Sequence, residues 1–150
     1  MGQLTLSSEL AAAIGDVFEF HLDPRNAARI SPPGLRVLSV EAPERVRAGD
    51  EVLLTVRQRP FPFVQRWRVR IAAVDAPIAI VDVALAGPFR AWRHEHLFTF
   101  AGDERTLLTD RVTYELPFGA LGRLADRLVV RRMLARAFRH RHARTRALLG

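Results

Sequence analysis

The chain is predicted to be an α+β protein, with one antiparallel sheet and its helices gathered on one side. Three observations predict this. From Leu35 to about Pro117 the apolar residues recur with a period of two, interrupted only by short segments containing proline or glycine. From about Ala120 to Leu149 the chain is rich in leucine, alanine and arginine, with no proline and no interior glycine after Gly122, the composition of one long helix. Between these and the N-terminus stands a strand followed by two short helical patterns. The order strand, two short helices, six strands, long helix is that of a sheet covered on one face.

Each element has its own signal. Leu4, Leu6, Ser8 and Leu10 alternate over Gln3 to Leu10, a first strand. Ile14, Val17, Phe18 and Leu22 then recur at helical spacing within Ala11 to Leu22. Asp23-Pro24 is an N-cap and first-turn pair for a second short helix through Ala27, Ala28 and Ile30, stopped by Ser31-Pro32-Pro33-Gly34. Leu35 to Glu41, Asp50 to Arg59, Val64 to Val74 and Ile78 to Leu85 read as strands. In the third of these Trp67, Val69 and Ile71 alternate with Arg66, Arg68 and Arg70, so one face is buried and the other wet. The stretch from Gly87 to Pro117 supplies a hairpin turned by Ala101-Gly102-Asp103-Glu104-Arg105, and Pro117-Phe118-Gly119 ends the sheet. In the closing helix Leu121, Leu124, Leu128, Val129, Val130, Met133, Leu134, Ala137 and Phe138 predict a wide buried face.

At 150 residues, 49% hydrophobic and 26% charged, the chain reads as one globular domain spanning 1–150. It shows neither an apolar run long enough to cross a bilayer nor a basic segment followed by an apolar core at its start, so the expected location is cytoplasmic. Without cysteine there is neither a disulfide framework nor thiolate chemistry. Every basic residue is arginine, which excludes Schiff-base lysine chemistry, and the net charge of +7 brings nucleic acid and anionic membrane into view as partners. Phosphate-binding glycine loops, nucleophile elbows, zinc-protease helix pairs and dinucleotide fingerprints are all missing.

The hairpin holds most of the chemistry. Trp92, His94, His96, Phe98 and Phe100 share one face of its first strand, and Leu108, Asp110, Val112, Tyr114 and Leu116 one face of its second. Two histidines, an aspartate and a tyrosine on a largely apolar face resemble a cavity wall more than a plain core. Three readings compete. His94, His96 and Asp110 could ligate a divalent metal. Alternatively, a histidine oriented by Asp110 could act as general acid or base with Tyr114 as hydrogen-bond donor. In the third and favoured reading, these groups satisfy one another or hold the polar end of a bound ligand. Phe61-Pro62-Phe63 reads as a hairpin turn in preference to a lid or membrane-touching loop. Arg136, Arg139, His140, Arg141, His142, Arg144 and Arg146 read as a solvated helix end favoured by the helix dipole, with anionic lipid or RNA as the alternative. The arginines are not interleaved with aromatics, which weighs against nucleic acid.

With this order and these residues, the chain resembles the START-like, helix-grip superfamily, also called SRPBCC or Bet v 1-like, and within it small bacterial polyketide cyclase/dehydrase-like or ligand-binding proteins. The segments that carry the resemblance are Val17-Phe18-Glu19-Phe20, Ile30-Ser31-Pro32-Pro33, Gly49, Gly87-Pro88-Phe89, Trp92 to Phe98, Thr109 to Tyr114 and Leu116-Pro117-Phe118-Gly119. The resemblance implies a curved sheet of about seven strands gripping the long helix, with a mainly apolar cavity between them. The expected ligand is a lipid-, polyketide- or isoprenoid-like molecule, lined by Trp67, Trp92, His94, His96, Phe98, Asp110, Val112, Tyr114 and Leu128. The superfamily also houses enzymes, so a cyclase or dehydratase using His94, Asp110 and Tyr114 is the alternative, and a membrane- or RNA-associated accessory protein the second. No metal and no cofactor are expected. The oligomeric state is not legible.

Overall fold

The computed structural model describes residues Met1–Gly150. A single seven-stranded sheet runs β1 (Gly2–Leu10), β7 (Arg105–Glu115), β6 (Ala91–Gly102), β5 (Ala79–Ala86), β4 (Val64–Asp75), β3 (Glu51–Gln58), β2 (Leu35–Glu41). All neighbours are antiparallel, so the first strand closes against the last and β2 forms the far edge. Irregular registers at Val37/Ser39, Arg68/Val69, Ile71/Ala73 and Phe100/Gly102 add local bend to the right-handed twist and help curl the sheet into a half-barrel. Two short helices, α1 (Ile14–Leu22) and α2 (Asn26–Arg29), link β1 to β2. The C-terminal helix comprises α3 (Gly119–Ala125), a π turn (Asp126–Val130) and α4 (Arg131–Leu149).

The alternation read in the sequence is the alternation of the sheet. Val69 and Ile71 are buried while Arg66, Arg68 and Arg70 are exposed, as the period of two requires. The first helix begins later than its pattern suggests, at Ile14. Tertiary bonds hold the preceding residues out of it: the Thr106 hydroxyl donates to the Ala12 carbonyl at 2.8 Å, and the Ala11 N–H donates to the Gly150 carbonyl at 2.5 Å. Asp23 acts ahead of α2, where its carboxylate accepts the Arg25 N–H at 3.0 Å.

The larger departure lies in the C-terminal helix. Its inward residues step by four along Gly122, Asp126, Val130, Leu134, Phe138 and His142, all buried except the half-buried Val130. Gly122 belongs there because a Cβ would stand 2.1 Å from the Pro117 carbonyl oxygen. Asp126 turns inward within the π turn to meet Tyr114. Leu121, Leu124, Leu128 and Val129, expected in the buried face, therefore point outward and are exposed.

The concave face of the sheet holds two apolar groups of unequal size. One, of 11 buried residues, gathers Val17, Phe18 and Leu22 of α1 against Ile71, Phe98 and Leu108 of the sheet. The other contains 4 buried residues, Val112, Tyr114, Leu134 and Phe138, packed against partly buried Leu4, Leu6, Phe89, Trp92 and Val130. The candidate site lies between and beside them.

Candidate functional site

The strand register brings the site together. On β6, His96 stands opposite Asp110 of β7 and His94 opposite Asp82 of β5. His94 and His96 project to the same face, and their rings stack at 3.8 Å between centroids with a 32° tilt. A carboxylate flanks the stack on either side. His94 donates its Nε2–H to Asp110 Oδ1 at 2.6 Å, and His96 donates its Nε2–H to Asp82 Oδ2 at 2.9 Å. The opposite ring nitrogens lie across from the other partner, His96 Nδ1 at 3.3 Å from Asp110 Oδ1 and His94 Nδ1 at 3.9 Å from Asp82 Oδ2.

The C-terminal helix closes this group. His142 donates its Nε2–H to the second oxygen of Asp110 at 2.5 Å, and its Nδ1 accepts the Ser8 hydroxyl of β1 at 2.6 Å. The Phe138 ring meets His94 edge-on at 5.2 Å, and Arg141 lies over Phe138. From the other side α1 presents His21, 5.7 Å from the His96 ring. Four of the chain's five histidines thus converge on two aspartates.

Electrostatics distributes the charge. Burial opposes a charge on His96, yet its contacts with Asp110 and Asp82 outweigh that and raise its pKa to about 9. His94 is pushed down by burial and by the neighbouring His96 cation, and His21 by the same two causes to about 3. Burial alone would raise both aspartates, but the histidines around them hold Asp82 below and Asp110 well below the ordinary range. Burial lowers Arg141, which nonetheless stays a cation as arginine does in proteins. At neutral pH two carboxylates are thus matched by one imidazolium and one guanidinium.

The ligating atoms of Asp82, His94 and His96 lie within 4.8 Å of one another, and this trio could receive a metal ion. An ion there would have to replace the proton of His96 and its hydrogen bond to Asp82, beside the Arg141 cation. Ser8, His142 and Asp110 stand in the order of a nucleophile, base and acid. Ser8, however, lies within an edge strand, and neither recess described below reaches it.

The expected acid–base trio is divided. His94 and Asp110 touch, but the Tyr114 hydroxyl donates to Asp126 Oδ1 at 2.5 Å, and Arg131 holds the other oxygen of Asp126 at 3.2 Å. Burial first, then Asp126, raises Tyr114 to about 12. A recess of about 480 Å³ opens here, bordered by Gly2, Tyr114, Leu116, Gly122, Arg123, Leu124, Asp126, Arg127 and Arg131. A second, of about 540 Å³, lies between the end of α2 and the start of β2. Of the nine residues expected to line a ligand cavity, only Tyr114 borders either of these two recesses. Trp92 and Trp67 are half-buried and pack with Phe89 in an aromatic group that runs on to Tyr114, with centroids 4.8 to 5.8 Å apart. Phe98 and Val112 are core residues, and Leu128 faces solvent, because the inward stripe at its level is Asp126 and Val130.

Five members of the polar group were not singled out from the sequence as site residues: Ser8, His21, Asp82, Arg141 and His142. Their spacing carries a signal. Asp82 is in phase with inward Ile80, His21 follows Val17 by four, and His142 follows Phe138 by four.

No family model matches the sequence, and no curated protein matches it either. Solved structures do match over almost its whole length. A protein from Thermus thermophilus is 18% identical, with 99% of this chain and 100% of that chain covered and a TM-score of 0.74. A START superfamily protein from Mycobacterium smegmatis is 13% identical, with 98% and 96% covered and a TM-score of 0.72. The di-domain ARO/CYC StfQ of the steffimycin biosynthetic pathway is 17% identical, with a TM-score of 0.75 over 98% of this chain and 50% of that one. The chain has the START-like helix-grip fold.

Proposed function

We propose that the protein binds a small, mainly hydrophobic molecule with one polar end, in the space between the sheet and the first turns of the C-terminal helix. The observation that carries this reading is the recess at Tyr114, whose volume of about 480 Å³ suits a small ligand and which adjoins the thinner of the two apolar groups. Leu116, Ala120, Leu124 and the Tyr114 ring supply apolar wall, and Arg123, Arg127 and Arg131 supply the donors for a polar end. The histidine–aspartate group lies deeper along the helix and pins sheet to helix through His142 and Asp110. START-superfamily and aromatase/cyclase structures share the fold, which supports a ligand-holding role.

The acid–base reading is weaker, since the donor it requires, Tyr114, is already bound to Asp126. Native mass spectrometry of gently extracted protein tests the binding reading. The expected result is a mass excess of a few hundred daltons lost on denaturation, with an apolar fluorescent probe taken up by the emptied protein. A bare mass combined with no probe uptake would count against it.

A further inference from the structure

The C-terminal helix carries a second apolar face, turned away from the sheet. Phe118, Leu121, Leu124, Leu128 and Val129 are 82, 73, 51, 63 and 59% exposed. Leu121, Leu124 and Leu128 stand three and four residues apart, so they form one stripe. It is not the rim of the core, because the inward stripe of the same turns is Gly122, Asp126 and Val130. A contiguous surface run of large aliphatic side chains on one helix face marks a contact site.

The charge around the stripe selects what covers it. Arg123, Arg127, Arg131 and Arg132 are exposed on the same turns. The helix contains one carboxylate, Asp126, and it is buried against Tyr114 and Arg131. Pairing with a second copy through this face would set arginines against arginines with no acid to offset them. An RNA strand would meet the arginines but leave the leucines in water. An anionic bilayer takes both: leucines enter the acyl boundary while the arginine stems lie along it and carry their guanidinium groups to the headgroup phosphates. No helix is long and apolar enough to cross a membrane, so the contact is peripheral.

We propose that the outward face of Phe118 to Arg132 docks this protein on an anionic lipid bilayer. Arg123, Leu124, Arg127 and Arg131 also border the recess, but the docking needs no ligand there, and the two positions varied below, Leu121 and Leu128, lie outside its lining. Sedimentation of the full chain with vesicles tests it. Phosphatidylcholine vesicles containing phosphatidylglycerol are expected to bind the protein about tenfold or more tightly than phosphatidylcholine alone, and high salt to release it. The double variant Leu121→Glu, Leu128→Glu alters only exposed positions, so it is expected to keep its circular dichroism and melting curve and lose the vesicles. As an independent readout, the chain has no cysteine, so a dye on Leu128→Cys reports one position. Its emission is expected to shift to the blue on anionic vesicles, whereas a dye on Glu104→Cys, in the β6–β7 turn, stays unchanged. Absence of vesicle binding at low salt would overturn the proposal, as would binding insensitive to the double variant, an unshifted dye at 128, or a dimer in sedimentation that the double variant dissolves.

Discussion

The two halves of the concave face solve the same problem differently. Beneath α1 the space is filled by apolar side chains that interlock, with Phe18 meeting Phe98 edge-on at 5.5 Å. Beneath the C-terminal helix it holds four buried apolar residues, a ring of half-buried aromatics and a polar group in which both carboxylates are bound by histidines. The first half is a core in the ordinary sense and has little to offer a ligand. The second is held shut at one end by ions and left open at the other, an arrangement that trades packing for space.

Substitutions can break that contrast, and the largest effects belong to the filled half and to the ion group. Phe18→Ala is expected to cost about 3–5 kcal/mol in denaturant unfolding, because neighbours cannot collapse into the cavity it leaves. Asp110→Asn should cost a similar amount, about 3–5 kcal/mol, for the opposite reason: it removes the carboxylate that accepts from His94 and His142 and leaves the buried His96 cation short of a partner. In the open half, half-buried Trp92→Ala is expected to cost less, about 1–2 kcal/mol. Along the helix itself, Leu134→Ala should cost about 2–5 kcal/mol and Leu128→Ala no more than about 0.5 kcal/mol, since one is buried and the other exposed.

A smaller effect is expected from pH, and it is specific to the polar half. The folded pKa of His96, about 9, lies above the ordinary 6.5, so its stabilisation is whole below pH 6.5 and fades as pH rises toward 9. His21 is depressed to about 3 and His94 is depressed too. The unfolded chain then takes up protons that the folded chain refuses, and stability falls as pH drops below 6.5. Both aspartates, being depressed, add a further loss below about pH 4. Stability should therefore peak near pH 6.5, and His96→Gln should flatten the alkaline limb. An unchanged limb in that variant would assign it to other groups.

The filled half was the more legible in the sequence. Alternation placed Val69, Ile71 and Phe98, and helical spacing placed Val17 and Phe18, because in an apolar core the pattern is the structure. The hairpin was legible too, including the facing of His94 and His96 toward Asp110. Two things were not. His142 and Arg141 lie in a run so rich in arginine that composition pointed to a solvated tail, although His142 continues the stripe of Leu134 and Phe138. The leucines before the π turn were expected inside, and they face out because Asp126, drawn in by Tyr114, occupies the inward position. A hydrogen bond between residues on different elements leaves no trace in periodicity.

The central claim is that the open half holds an apolar ligand and the filled half does not. Backbone amide spectra of the protein titrated with an apolar fluorescent probe test it most directly. The shifts are expected to saturate and to cluster at Tyr114, Leu116, Gly122 and Leu124, leaving Val17, Phe18 and Ile71 unmoved. Shifts centred on the α1 half, or none that saturate, would contradict it.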